Sequence, residues 1–371
     1  MTLSPPDGIH QIDTAAYRIP TDQPEGDGTL AWSTTTVVVA RVRAGEAEGL
    51  GWTYATEATK TVIDETLAEV VCDRDPMAVP AANEAMTRAC RNLGRPGVAA
   101  TAISAVDIAL WDLKARLLGV PLADLFGRAA TSAPIYGSGG FTTYSDDSTR
   151  AQLETWVGEW GVPRVKIKVG ESWGSQPARD LHRAELTRSV VGDDVEIYVD
   201  ANGAYQTKQA VRIGWEMASR CGVLWFEEPV SSDDLAGLRQ VRDQCSLDIA
   251  AGEYGYTPHY FARMLAAGAV DCLQADVTRC GGYSGWLAAA HLAAAHNLEI
   301  SGHCAPNLHA PIAVAVPNLR HVEYFHDHHL IETRLFDGTL PPGGGVLTPR
   351  TNDPGHGFGL RESDAKQFRI A

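Results

Sequence analysis

The chain has 371 residues, of which 44% are hydrophobic and 21% are charged, a composition typical of globular proteins and not of disordered or fibrous ones. Its 31 basic and 46 acidic residues give a net charge of −15, which argues against nucleic acid or an anionic membrane surface as a partner. No apolar run approaches the roughly 20 residues of a membrane span and the first residues do not resemble a secretion signal, so we expect a cytoplasmic protein.

The N-terminal part of the chain has the pattern of a small α+β domain, which we place at residues 1–130. Turn-forming residues dominate positions 21–28 and precede a β-branched apolar run at 34–40, a pattern that predicts a loop leading into a strand. A helix is predicted farther on, where apolar residues recur at steps of three and four: Ile103, Val106, Leu110, Leu113 and Leu117. The sequence Gly-Val-Pro at 119–121 ends this helix.

From about residue 133, short apolar runs alternate with longer amphipathic segments. Eight runs are predicted as strands: 134–136, 165–169, 195–199, 223–226, 247–251, 270–273, 298–301 and 319–324. From the second run onward their starts are 21 to 30 residues apart, the length of one strand and one helix with their loops. Since no glycine-rich dinucleotide fingerprint follows the first strand, we predict a closed parallel barrel over 131–330. The turn-rich segment 331–371 is expected to pack back on the first domain.

Several of these strands end in acidic residues where a purely structural strand would stay apolar. The C-terminal ends of parallel barrel strands converge on one mouth, so Asp200, Glu227 and Glu253 would lie within a few ångströms of one another. Like charges at that distance need a counter-ion. An all-oxygen ligand set favours Mg²⁺, with Mn²⁺ as the alternative, over zinc.

Basic groups flank these acids in chain order. Lys166 and Lys168 lie two residues apart, so a pleated strand directs both to the same side. We expect the Lys166 ammonium and a nearby metal to lower the pKa of Lys168 toward that of a usable base. Asp276 precedes His303 by one strand and would hold its imidazole in one tautomer. The predicted site therefore has two candidate bases on opposite faces of a metal-bound substrate.

These motifs resemble those of one known family. The matching segments are KIK at 166–168, VDAN at 199–202, FEEP at 226–229, AGE at 251–253, AD followed by CGG within 275–282, SGH at 301–303 and VEYF at 322–325. With the helix at 105–127 and PGHGFGL at 354–360, the chain resembles the mandelate racemase subgroup of the enolase superfamily over nearly its whole length. The resemblance implies an α/β fold: a (β/α)7β modified TIM barrel with an α+β capping domain built from the N-terminal region and the C-terminal tail.

The same resemblance implies roles for individual residues. It places Mg²⁺ on the three acids already named, makes Lys168 and the His303–Asp276 dyad the acid/base groups, and brings Lys166 and Glu323 against the substrate carboxylate or its enolised form. Muconate-cycloisomerase and dipeptide-epimerase relatives would need a lysine at position 276, which disfavours that branch. The family commonly forms dimers or octamers, so a homo-oligomer is expected.

The shared reaction step is removal of the proton α to a carboxylate. Subgroup members with a KxK motif and a His–Asp dyad often resemble acid-sugar dehydratases, and the capping segments at 19–28 and 52–54 are rich in hydrogen-bonding groups. We therefore favour dehydration of a sugar acid, an aldonate or aldarate, to a 2-keto-3-deoxy acid. Asn202 and Tyr54 are the predicted substrate contacts besides Lys166 and Glu323. The alternatives are a racemase or epimerase that uses both bases, and a non-catalytic enolase-like barrel.

Two further polar features have structural interpretations. Glu228 neighbours an inward-facing position and is predicted to face away from the metal. Five histidines in the last third of the chain are predicted to lie mostly at the surface: His309, His321, His326, His328 and His329. Those at 326–329 are placed near the barrel mouth.

Overall fold

The structure, a computed structural model, describes residues 8–371 and begins with a three-stranded antiparallel sheet. Its strands are β1 (Gln11–Gly26), β2 (Ala31–Ala44) and β3 (Ala47–Tyr54). The predicted loop at 21–28 is wrong for most of its length, since β1 continues through it to Gly26. The pairing with β2 shifts register between Pro20 and Glu25, so the turn-forming residues there mark a bulge and not the end of the strand.

Helices follow the sheet and cover one of its faces. They are α1 (Ala58–Val62), α2 (Ala68–Val71), α3 (Val79–Ala89), α4 (Val98–Leu118) and α5 (Leu122–Phe126), with a π-helical turn at Ile63–Leu67 and a 3₁₀ turn at Cys90–Asn92. The predicted break after α4 is confirmed: Gly119 caps it in the left-handed region at φ 69°. α4 is buried on most of its surface because it lies between the sheet and the second domain.

Close packing of β3 on α4 depends on two glycines. A Cβ atom on Gly51 would lie 2.2 Å from the carbonyl oxygen of Ala105, and one on Gly49 would lie 2.1 Å from that of Ala109. We expect Gly51→Ala to lower the free energy of unfolding by about 1–3 kcal/mol, because the sheet must move away from the helix. Chemical denaturation measures this difference.

Gly158 provides the matched control. It lies in a π-helical turn, Thr155–Glu159, with no atom within 4 Å of an added Cβ, so Gly158→Ala should leave stability unchanged or raise it slightly. Equal stability of Gly51→Ala and the unmodified protein would show that the sheet and helix are not in the contact described.

The second domain is the predicted closed parallel barrel. Its strands are β4 (Ala133–Gly139), β5 (Arg164–Lys168), β6 (Glu196–Asp200), β7 (Val223–Glu227), β8 (Asp248–Ala251), β9 (Cys272–Ala275), β10 (Glu299–Gly302) and β11 (Leu319–Phe325). Neighbours in sequence are parallel neighbours in the sheet, and β11 pairs with β4 to close it.

Helical crossovers connect each of these strands to the next. They contain α6 (Asp146–Glu154), the single turn α7 (Glu171–Gly174), α8 (Pro177–Val191), α9 (Thr207–Cys221), α10 (Leu235–Gln244), α11 (Pro258–Ala266), α12 (Gly282–Ala295) and α13 (Pro306–Ala313). With seven crossovers and eight strands, the barrel has (β/α)7β topology. β11 runs directly into α14 (His326–Leu335).

The C-terminal segment contacts both domains. Its elements are β12 (Phe336–Asp337), β13 (Val346–Leu347), β14 (Gly359–Leu360), α15 (Glu362–Ala365) and 3₁₀ turns at Gly343–Gly345 and Lys366–Phe368. β13 pairs with β4 of the barrel. Asp112 on α4 accepts hydrogen bonds from the backbone N–H groups of Leu50 and His356, and Trp52 stacks on Phe336 with ring centroids 4.1 Å apart. The tail therefore joins the first domain in one packed cap.

Among residues 8–371, no helix is both long enough and apolar enough to cross a lipid bilayer.

Candidate active site

The strands β5, β6 and β7 place charged side chains inside the barrel at the same level. Lys168 pairs in register with Asp200, and Asp200 pairs with Glu227. Because side chains alternate along a strand, Lys166 also points inward, whereas Val165 and Ile167 pack against the surrounding helices. This geometry agrees with the prediction that the side chains of Lys166 and Lys168 point to the same side of the strand.

An aromatic layer closes the barrel beneath this level. Tyr136, Tyr198 and Trp225 pack together with Ala250 and Cys272. Trp225 also donates a hydrogen bond from Nε1 to Glu227 Oε2 at 3.2 Å, so it both fills the barrel and orients an acid. Within residues 8–371, this layer fills the barrel on the side of the site that faces away from the cap.

The two lysines bond to different acids. Lys166 Nζ lies 2.7 Å from both oxygens of Glu227 and 2.8 Å from Glu323 Oε1. Lys168 Nζ lies 2.5 Å from Asp200 Oδ2 and donates to Asn202 Oδ1 at 3.1 Å. Predicted site residues from four strands thus form one connected network.

The expected lowering of the Lys168 pKa is not found with these contacts. Burial is the largest single influence and lowers the pKa of Lys168, as does the nearby Lys166. The carboxylates of Asp200, Glu253 and Glu323 together raise it further, and the net shift is upward. The sequence analysis weighed Lys166 and a metal but overlooked Asp200 as the direct partner. Lys168 becomes a usable base only when the charge of Asp200 is shared with another cation.

The carboxylates of Asp200, Glu227 and Glu253 fit a divalent cation. All three are buried. Burial raises the pKa of Glu227 to about 7; Lys166 acts against this rise, and the Asp200 carboxylate adds to it. Among the residues described, Glu253 Oε2 is buried without a hydrogen bond of acceptable geometry. A buried carboxylate oxygen without a well-aligned donor is costly even with His303 Nε2 at 3.2 Å, and coordination would satisfy it. An oxygen-only donor set suits Mg²⁺ or Mn²⁺.

His303 and Asp276 form the predicted dyad. His303 Nδ1 lies 2.8 Å from Asp276 Oδ2, and Nε2 lies 3.2 Å from Glu253 Oε2. Thr278 fixes the other oxygen of Asp276 through its N–H and its hydroxyl, both at 2.7 Å. Burial lowers the pKa of His303, but Cys304 and the carboxylates of Glu253, Glu323 and Asp276 raise it, and the net shift is well above the ordinary value. Asp276 therefore orients the imidazole, and the raised pKa of His303 favours its protonated form.

Glu323 is held by groups that the sequence analysis missed. Ser138 donates to its Oε1 at 2.6 Å and the backbone N–H of Cys304 donates to Oε2 at 2.9 Å. Cys304 has φ 52°, so its N–H is presented by a left-handed backbone. The rule that selected the polar strand ends, applied to the end of the first barrel strand, would have found Ser138. Backbone donors at a positive φ leave no comparable signal in a sequence.

Arg279 is a second residue missed by the sequence analysis. Its Nη1 lies 3.2 Å from Glu253 Oε1, and its Nε lies 3.4 Å from Asp276 Oδ2. It therefore links a candidate metal ligand to the dyad. Its position three residues after Asp276, inside the motif that contains CGG, was the available signal.

A cavity of about 310 Å³ lies between the barrel mouth and the cap. Lys168, Asn202, Glu253 and His303 line it from the barrel. Lys166 and Glu323 are fully buried beneath these residues, with Glu323 Oε2 3.6 Å from His303 Nε2.

Fewer side chains of β3 line the cavity than the sequence predicts. Tyr54 lines the cavity, but its hydroxyl donates to Glu332 Oε1 at 2.9 Å and its ring stacks on His328. Trp52 and Thr53 do not reach the cavity, since Trp52 packs on the tail and the Thr53 hydroxyl donates to a barrel carbonyl group. Of the predicted polar segment at 52–54, only the Tyr54 side chain faces the site.

The structure corrects the prediction that these histidines lie mostly at the surface, whereas the placement of 326–329 near the barrel mouth agrees with His328, which lines the cavity. His309, His321 and His328 are buried and hydrogen-bonded, and His326 and His329 are partly buried. They lie on elements that face the barrel interior or the cap, a fact that local sequence cannot show. Glu228 is also buried, and its Oε1 has no hydrogen-bond partner among residues 8–371.

Comparison with known proteins agrees with this architecture. The profile of the family described as mandelate racemase / muconate lactonizing enzyme, N-terminal domain, matches residues 18–127, and that of the enolase C-terminal domain-like family matches 148–364. In structure, the chain is similar to a mandelate racemase/muconate lactonizing enzyme-like protein from Rubrobacter xylanophilus, with a TM-score of 0.94, 45% identity, and coverage of 98% of this chain and 100% of that one.

Two characterised relatives are similar over most of their length. L-talarate/galactarate dehydratase of Salmonella typhimurium LT2 is 31% identical over 317 residues, 82% of this chain and 77% of its own. Its structure with Mg and L-lyxarohydroxamate has a TM-score of 0.89 at 27% identity, over 100% of this chain and 95% of that chain. The 3,6-anhydro-alpha-L-galactonate cycloisomerase of Streptomyces coelicolor is 30% identical over 359 residues, 95% of this chain and 97% of its own. The chain thus belongs to the mandelate racemase/muconate lactonizing enzyme family of the enolase superfamily.

Proposed function

We propose that this protein is a Mg²⁺-dependent dehydratase of sugar acids that removes the proton α to the carboxylate and expels the 3-hydroxyl. The observation that supports this most is the placement of an amine, Lys168, and an oriented imidazole, His303, on one cavity beside three buried acids. The product would be a 2-keto-3-deoxy acid.

Asp200, Glu227 and Glu253 would hold the metal, which when bound supplies positive charge that stabilises the enolate form of the substrate. Lys166 and Glu323 are proposed to contact the substrate carboxylate or its enolised form. Their ion pair lies directly below the cavity, and Ser138 keeps Glu323 in place.

Lys168 is proposed to take the α-proton. Its contacts with Asp200 and Asn202 hold the amine at the cavity surface. His303 is proposed to give a proton to the departing hydroxyl, since Asp276 holds Nδ1 and leaves Nε2 toward the site. Nε2 donating its proton would produce a neutral imidazole that Asp276 keeps in a single tautomer.

An assay on a library of mono- and diacid sugars with Mg²⁺ tests the proposal by detecting 2-keto products. Dehydration of at least one member is expected. Exchange of the α-hydrogen in D₂O with no keto product would instead identify the racemase or epimerase that was the alternative from sequence. Neither reaction on any member would favour the non-catalytic barrel.

Metal binding has a readout independent of activity. An ion that binds only the native state stabilises it by about 2.7 kcal/mol at a concentration 100 times its dissociation constant, so Mg²⁺ should raise the melting temperature. Glu227→Gln should lose this response, whereas Glu216→Gln, a change at an exposed position on α9, should keep it. An equal response in both variants would place the ion elsewhere.

The homo-oligomer, whether dimer or octamer, stays a prediction that native mass measurement can test. The cytoplasmic location and the domain limits at 130 and 330 also stay predictions from sequence.

A further inference from the structure

The cavity has a wall on its cap side for which the proposed function gives no role. Residues from the β1–β2 hairpin and from the start of α14 form this wall: Asp27, Leu30, Trp32, Thr34, Thr35, Thr36 and Asp327. None of these residues is a lysine or an arginine. Besides the Trp32 indole N–H, which donates to Glu25, its side-chain polar groups are hydroxyls and carboxylates, which suit the hydroxyl groups of a sugar.

Negative charge is already disfavoured at this wall. Asp327 Oδ2 accepts a hydrogen bond from the Thr35 hydroxyl at 2.5 Å, and burial raises the pKa of Asp327 to about 6. Glu25 lies behind Trp32 and accepts its indole N–H at 2.9 Å. Burial, and then the Asp327 carboxylate, raise the pKa of Glu25 to about 9. Glu25 Oε1 is buried without a hydrogen-bond partner in the described part of the chain.

The cations near the cavity are already engaged. Arg279 bonds to Glu253 and lies beside Asp276, at the barrel side of the cavity. Burial lowers the pKa of His328 to about 3, so this residue is neutral at physiological pH. His326 does not line the cavity, and its Nε2 lies 3.0 Å from Asp22. A second substrate carboxylate would therefore meet Asp327, and residues 8–371 offer no free counter-ion for it.

We propose that the cap side of this cavity selects monocarboxylic sugar acids, the aldonates, and excludes dicarboxylic ones, the aldarates. The proposal rests on the proposed function, which directs the reacting carboxylate to the lysine side. The far end of an aldonate is an uncharged hydroxyl that can donate to the Asp327 carboxylate, whereas the far end of an aldarate is a second anion. This preference would differ from that of the L-talarate/galactarate dehydratase, whose named substrates are dicarboxylates.

The test compares matched acids on the unmodified protein with Mg²⁺. Each pair, such as D-gluconate with D-glucarate and D-galactonate with galactarate, shares its configuration at carbons 2 to 5 and differs only at carbon 6. We expect kcat/KM to be at least about 100-fold higher for the aldonate of any pair that reacts. An aldarate that reacts as well as its aldonate would overturn the inference and leave the proposed dehydratase intact. No reaction with any pair would overturn both.

A charge-removing variant tests the assignment to Asp327. Asp327→Asn keeps an oxygen for Thr35 and should raise the ratio of aldarate to aldonate kcat/KM about tenfold. Asp194→Asn removes the same charge at the opposite end of the barrel, where the residue is exposed, and should leave that ratio unchanged. Equal ratios in the two variants would show that Asp327 does not set the preference.

Discussion

Replacement of Lys168 by alanine should lower kcat by about 10³-fold or more, because the variant loses the amine proposed to take the α-proton. The alanine leaves Asp200, Glu227 and Glu253 in place, so the Mg²⁺-dependent rise in melting temperature should persist. Steady-state kinetics and thermal denaturation of the same preparation check both expectations. Loss of activity together with retained metal binding separates a catalytic role from misfolding.

Lys208 offers the matched control for this substitution. It is exposed on α9, and Lys208→Ala should retain the activity of the unmodified protein. Unimpaired turnover by Lys168→Ala would remove this residue from the mechanism.

Replacement of His303 by asparagine should reduce dehydration by about 10²- to 10⁴-fold, since the departing hydroxyl loses its proton donor. Lys168 remains, so exchange of the α-hydrogen with D₂O should continue. Mass spectrometry of recovered substrate measures the exchange, and 2-keto formation measures dehydration. His296→Asn, which changes an exposed histidine, should affect neither.

The two readouts assign His303 to one of its possible roles. Dehydration at the unmodified rate would refute the acid assignment. Loss of both dehydration and exchange would make His303, and not Lys168, the residue that takes the α-proton.

The barrel was predictable because its signal is periodic. Strand runs 21 to 30 residues apart leave room for one helix each, and only a closed parallel sheet brings their ends to one mouth. The same logic placed Lys168 beside Asp200 and Glu227, which the structure shows in register. Strand ends separated by a regular interval therefore carried most of the information on which residues meet.

Contacts between distant segments were beyond this logic. Thr35 meets Asp327, 292 residues away, and Tyr54 meets Glu332, 278 residues away, because the cap and α14 meet over the barrel mouth. No local pattern encodes how one domain sits on another. The same limit explains why buried histidines were predicted at the surface. His321 points into the barrel, and it is buried only because the strands close into a barrel around it.

The hairpin error has a different origin. Turn-forming residues at 21–28 are compatible with a strand when its partner continues and the extra residues bulge, as the register shift between Pro20 and Glu25 shows. The polar composition of this segment did not reveal that its backbone is a strand. Asp27 of this segment matters for the site because it lines the cavity, as does Trp32 on the following strand.

Diffraction from crystals grown with Mn²⁺, recorded with its anomalous signal, tests the central claim most directly. The predicted result is one strong Mn²⁺ peak per chain, bound by carboxylate oxygens of Asp200, Glu227 and Glu253, with Lys168 and His303 on either side of it. A peak bound by other residues, or no peak at a concentration of Mn²⁺ that supports turnover, would contradict it.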